Sequence, residues 1–208
     1  RLNVNTGEAE MLAENPGNIS SWMTDHDGKI RIASTTDGVN TSILYRATEE
    51  EEFQTVMTTN FKESFSPQFF DFDNGSVVYA ASNLGRDKMA LVKYDLATNK
   101  ELEELYANEH NDIGGASYSR KRKVLTAVSW TGAKRERHFF DKESKAVYKD
   151  LESKLPGVEI SIASSNDEED KFIDEEEDIE LVAPKKKKKK KKKKREKRKR
   201  DSARSKAP

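Results

Sequence analysis

Apolar runs five or six residues long, separated by polar turns, fill the chain from its start to about residue 173. The clearest are Lys29–Ala33, Ser42–Arg46, Ser76–Ala80, Met89–Tyr94 and Lys123–Val128. Each is rich in β-branched or aromatic residues, which suit the pleated, half-buried surface of a strand. Between them stand Asp27-Gly28, Asp37-Gly38, Asn74-Gly75 and Asn83-Leu84-Gly85. Such pairs supply the positive φ angles of tight hairpin turns, so the pattern predicts antiparallel neighbours in sequence order. Residues 142–155 alone depart from it and fit either a short helix or a strand followed by a loop.

The polar-turn-plus-strand unit recurs. Asp25-His26-Asp27-Gly28-Lys29-Ile30-Arg31-Ile32-Ala33 aligns with Phe72-Asp73-Asn74-Gly75-Ser76-Val77-Val78-Tyr79-Ala80, the two glycines standing 47 residues apart. One further step leads to Lys123-Val124-Leu125-Thr126-Ala127, and another to Lys171-Phe172-Ile173 after Asn166-Asp167-Glu168-Glu169-Asp170. A second element shares the period: Tyr94-Asp95-Leu96-Ala97-Thr98-Asn99-Lys100-Glu101 resembles Phe140-Asp141-Lys142-Glu143-Ser144-Lys145-Ala146. The opening Leu2-Asn3-Val4-Asn5-Thr6-Gly7-Glu8 has the same form, so the chain is expected to start within a repeat. A period of about 40 to 50 residues with about four strands each is that of a propeller blade. The expected fold is therefore all-β: a partial β-propeller of about three to four blades of four antiparallel strands, over residues 1–173. A β-sandwich uses similar strands but gives no reason for the period.

These blades resemble the propeller of the prolyl oligopeptidase family of serine peptidases, which includes dipeptidyl and acylaminoacyl peptidases. Asp27-Gly28-Lys29-Ile30 with Ile32-Ala33-Ser34, and Asn74-Gly75-Ser76-Val77-Val78-Tyr79-Ala80-Ala81-Ser82-Asn83, match its polar hairpin and following strand. Val4-Asn5-Thr6-Gly7-Glu8 and Lys93-Tyr94-Asp95-Leu96-Ala97-Thr98-Asn99-Lys100 match its second hairpin. TolB-like propellers share this pattern. The resemblance implies a non-catalytic domain that gates peptide access to a hydrolase domain, the partner expected in the parent protein. The alternative is a TolB-like scaffold module that binds a partner.

No catalytic, cofactor-binding or metal-binding residue is assigned. A nucleophile elbow needs glycines on both sides of its serine, and the nearest approach, Gly115-Ala116-Ser117-Tyr118-Ser119, ends in serine and precedes a strand. His26 falls in a turn, His110 in a polar loop and His138 on a strand, without the paired spacing of metal ligands. Asp71-Phe72-Asp73-Asn74-Gly75 and Asp25-His26-Asp27-Gly28 have the look of calcium loops, yet Ala81 and Ser34 stand where an EF-hand places glutamate. Glu103-Glu104 and Glu49 to Glu52 lack the setting of a peptide amino-terminus site and read as solvated surface. The chain has no cysteine, which fits the cytoplasm, with periplasm and nucleus as the other compartments. No run approaches the roughly 18 apolar residues of a membrane span. Asn18-Ile19-Ser20, Asn40-Thr41-Ser42 and Asn74-Gly75-Ser76 match the short glycosylation pattern.

Charge changes the picture at the C-terminus. Charged residues make up 37 % of the chain and hydrophobic ones 34 %. The formal net charge of +0 hides 17 Lys and Arg against two acids between Lys185 and Lys206. Residues 174–184 read as an acidic linker, and 185–208 as a disordered lysine- and arginine-rich tail, because such a tract repels itself and buries no apolar area. Lys185, Lys190, Lys194, Arg195, Arg198 and Arg200 are the polyanion-binding candidates. Three origins compete: a nucleic-acid-binding or nuclear-import tail, an intramolecular partner for the acidic run, and a foreign or frameshifted appendage from an adenine-rich stretch, the preferred reading. No aromatic residue interleaves the tract, so base stacking is not expected. Whatever its origin, the tail releases counterions when it meets a polyanion. Binding to duplex DNA should therefore fall steeply with salt, with a log–log slope of about −0.9 per phosphate neutralised. Deleting residues 185–208 should abolish that binding in a filter-binding titration.

Overall fold

The computed structural model describes residues 1–174 and 180–182. The chain divides into two compact units, Arg1–Ala146 and the part from Val147 onward. The polybasic tract and its six candidate residues lie outside the described residues.

The first unit holds three antiparallel meanders. The first sheet runs in order through β1 (Ile19–Thr24), β2 (Ile30–Thr36), β3 (Thr41–Tyr45) and β4 (Gln54–Thr59). The second runs through β5 (Phe65–Phe70), β6 (Val77–Ser82), β7 (Ala90–Asp95) and β8 (Lys100–Ala107). The third has β9 (Ile113–Ser119), β10 (Val124–Thr131) and β11 (Arg135–Phe139). All five strands anticipated from the apolar runs are present, displaced by one to three residues at their ends. Each sheet is open, with two free edges.

The middle sheet explains how the unit coheres. Every residue of β6, Val77-Val78-Tyr79-Ala80-Ala81-Ser82, is buried. Side chains alternate across a strand, so β6 must be covered on both sides. Val78 and Ala80 of β6, with Ala90, Val92 and Tyr94 of β7, pack against Ile32, Ile43 and Tyr45 of the first sheet. Tyr79 and Ala81, with Leu91, pack the other way, against Ile113 and Val128 of the third. The register agrees: Ala80 faces Val92 and Val78 faces Tyr94, while Ala81 faces Leu91. Polar stitches reinforce the second junction. Gln68 Nε2 donates to the Gly114 carbonyl at 3.1 Å, and its Oε1 accepts from the Ala116 N–H at 2.6 Å. At the outer edge, β8 carries exposed Glu101, Glu103 and Glu104, charges that discourage pairing with another edge.

In the second unit, β12 (Ile162–Ser165), β13 (Lys171–Asp174) and β14 (Glu180–Val182) form a three-stranded antiparallel sheet. The second strands of the four sheets begin at residues 30, 77, 124 and 171, a constant step of 47. The repeat read from the sequence is thus a repeat of sheets.

Two details differ from expectation. Among the described residues, the third and fourth sheets have three strands, not four. After β11 the chain enters α1 (Lys142–Lys154) instead of a fourth strand. Asp141 occupies the place that Asp95 holds in the preceding repeat. Asp95 Oδ1 accepts from the Ala97 N–H at 3.0 Å and keeps a hairpin turn. Asp141 Oδ2 accepts from the Ser144 N–H at 2.7 Å, the N-cap geometry that starts a helix. On α1, Val147, Tyr148 and Leu151 recur at helical spacing and, with Leu155 just beyond its end, pack with Ile160. Pro156 and Gly157, at φ 87°, end it. The second difference is at Asn74-Gly75. Gly28 sits at φ 78° as a tight turn requires, but Gly75 is not left-handed. The connection there is longer, closed by the Asp71 N–H to the Val77 carbonyl at 2.8 Å.

Because Leu91 is fully enclosed by the second junction, Leu91→Ala should lower unfolding stability by about 2–5 kcal/mol. The reading is a lower denaturant midpoint with unchanged slope. Leu102→Ala, on the exposed edge, should change it by less than about 0.5 kcal/mol.

Candidate functional site

In a meander every link from first to second strand lies at the same end of its sheet. Stacking the sheets therefore gathers three such links: the β1–β2 turn, the β5–β6 loop and the β9–β10 turn. Together they line a cleft of about 530 Å³, a volume within the range of small-molecule sites. The first turn contributes Asp25, His26 and Asp27, the second Asp71, Phe72 and Asp73, and the third Arg120 and Lys123.

His26 holds the floor together. Its ring stacks on Phe72 with centroids 4.0 Å apart and planes 6° from parallel, and it meets the edge of Tyr118 at 5.4 Å. Its Nε2–H donates to the Phe70 carbonyl at 2.8 Å. One half-buried imidazole thus touches all three sheets, which is a structural role. Beside it, Arg31 Nη1 pairs with Asp25 Oδ2 at 3.0 Å, and Nη2 donates to the Gly75 carbonyl at 3.1 Å. The Tyr45 hydroxyl donates to the same carbonyl at 3.2 Å. Asp25 Oδ1 meanwhile accepts from the N–H groups of Asp27 and Lys29, each at 3.0 Å.

Asp71 is engaged in the same way. Its Oδ1 accepts from the Asp73 N–H at 2.9 Å and its Oδ2 pairs with Lys93 Nζ at 2.8 Å. Burial pushes the Asp71 carboxyl up, but the hydrogen bonds from Lys93 and the Asp73 N–H outweigh it and hold the carboxyl below its ordinary value. Lys93 is raised: burial lowers it, and its interactions with Asp71 and Tyr79 together outweigh that. Among the described residues, no side-chain partner engages Asp27, Asp73, Arg120 or Lys123. The cleft therefore has a paired interior and four unpaired charges at its margin, acids on the first two sheets and cations on the third.

Of the residues weighed from sequence, His26 and the two segments with the look of calcium loops contribute to the cleft, and the others lie elsewhere. Ser117 sits on β9, its Oγ 2.9 Å from Thr126 Oγ1. His110 is on an exposed loop, 3.9 Å from Glu109. His138 stacks on Tyr106 at 4.7 Å. Glu49 pairs with Lys29 at 2.9 Å, and Glu103 and Glu104 are exposed on β8. Sequence reasoning passed over Arg120 and Lys123. The available signal was the basic run Arg120-Lys121-Arg122-Lys123, at the point in the third repeat where the first two carry acidic turns.

The folded state holds the Asp71 carboxyl below its unfolded value, so acid favours the unfolded chain. The stabilisation is present above about pH 4, the ordinary aspartate value, and is lost as pH falls through the folded value. Asp71→Asn should lower stability at pH 7 and flatten the dependence on pH below about 4, measured by denaturant titration across pH.

No family model, curated protein or solved structure matches this chain.

Proposed function

We propose that residues 1–173 are consecutive blades of a β-propeller belonging to a prolyl-oligopeptidase-like serine peptidase. In that setting they restrict peptide access to a hydrolase domain and take no part in bond cleavage. The observation that carries this reading is the second sheet, apolar on both faces and enclosed between two others. A sheet of this kind is stable only within a stack, and the propeller is the fold that extends such a stack around an axis. The constant step of 47 residues between equivalent strands supports it. So does the gathering of equivalent turns at one end, where a propeller presents its rim to whatever approaches the central channel.

The chemistry of the cleft suits selection rather than catalysis. Its described lining consists of charged, histidine, phenylalanine and glycine residues. No hydroxyl or thiol there could act as a nucleophile, and His26 already donates its Nε2 proton to a carbonyl.

The native protein, captured from its source with an antibody to residues 1–173, should react with a fluorophosphonate probe, which marks activated serines. The label should fall outside residues 1–173, and the isolated chain should neither take the label nor cleave proline- or alanine-derived chromogenic peptides. An unlabelled native protein would remove the peptidase reading and leave a scaffold propeller.

A further inference from the structure

We infer that the cleft is a binding site for a small dipolar ligand, one carrying an ammonium group and an oxyanion on the same molecule. The inference rests on the cleft alone and holds whether or not a hydrolase accompanies the chain.

The argument begins with the charges that the fold uses and those it does not. Asp25 is matched by Arg31 and Asp71 by Lys93, both pairs largely shielded from solvent. These pairs shape the turns. Asp27 and Asp73, from the first two sheets, and Arg120 and Lys123, from the third, line the same cleft and are matched to nothing among the described residues. Two negative groups from the first two sheets and two positive groups from the third, lining one cleft, leave no net preference for a simple anion or cation. They favour a molecule whose own two charges point opposite ways.

The repeat sharpens the point. Equivalent turns in the first and second sheets are acidic, Asp25-His26-Asp27 and Asp71-Phe72-Asp73, whereas the third reads Arg120-Lys121-Arg122-Lys123. Stacking does not demand this reversal, because all four marginal side chains are exposed. Lys123 also sits at φ 54°, in the left-handed region that favours glycine. The ligand's oxyanion is thus assigned to Arg120 and Lys123, and its ammonium to Asp27 and Asp73.

Titration calorimetry on the full chain tests this with probes of matched size: triglycine, its carboxyl amide, its N-acetyl derivative and phosphoethanolamine. Triglycine or phosphoethanolamine should bind at least ~10-fold more tightly than either singly charged tripeptide. Preference between these two identifies carboxylate or phosphate as the oxyanion. Arg120→Ala should weaken triglycine without affecting the amide, and Asp73→Asn should weaken triglycine without affecting the acetyl derivative. Lys123→Gly provides the control for folding: it should raise the melting temperature while lowering affinity. Equal binding of charged and half-blocked tripeptides, or no heat from either zwitterion with a folded protein, would overturn the assignment. So would a Lys123→Gly variant that binds as the parent does.

Discussion

The structure depends on the enclosure of one sheet between two others. β6 and β7 carry apolar side chains on both faces, and a sheet so built has no stable free form in water. Its two faces must each find a neighbour, and a buried Leu or Val contributes about 1.5–3 kcal/mol when it does. Small residues make close approach possible: Ala80, Ala81 and Ala90 are almost wholly enclosed. They let the first sheet close from one side and the third from the other. The outer strands pay no such obligation, and β8 is free to carry glutamates.

The cleft is a consequence of that stacking. Three turns distant in sequence meet because the sheets that carry them share faces. Once there, their charges fall into two groups with different work. Asp25 and Asp71 hold turn N–H groups and a cation each, which fixes the backbone. Asp27, Asp73, Arg120 and Lys123 line the same cleft without a side-chain partner among the described residues. His26 belongs with the first group, since its stacking on Phe72 and its bond to the Phe70 carbonyl join the sheets.

The comparison of repeats shows how small changes redirect an element. Asn3, Asp95 and Asp141 occupy equivalent places, and each carbonyl-type side chain accepts from backbone N–H groups just ahead of it. After Asn3 and Asp95 the chain turns back through a left-handed residue, Gly7 at φ 76° and Asn99 at φ 54°. After Asp141 come Lys142-Glu143-Ser144-Lys145-Ala146, good helix formers with no residue suited to that turn, and the same cap starts α1 instead. The sequence alone left helix and strand open here, because residues 142–155 carry too few apolar positions to settle a period.

Local chemistry determined much of this protein without reference to the fold. The apolar runs of β2, β3, β6, β7 and β10, the left-handed turn at Gly28 and the period of 47 could all be read directly, because each depends on neighbours in sequence. Strands such as β8 and β11 escaped notice: half or more of their residues are charged, and only pairing with β7 and β10 makes them strands. Tertiary structure alone decided which faces meet, that Gly75 sits in a longer loop, and that Arg120 and Lys123 share a cleft with Asp27 and Asp73. Those four lie on three different sheets, and no rule of local sequence brings such residues together. Only the burial of both faces of the middle sheet does.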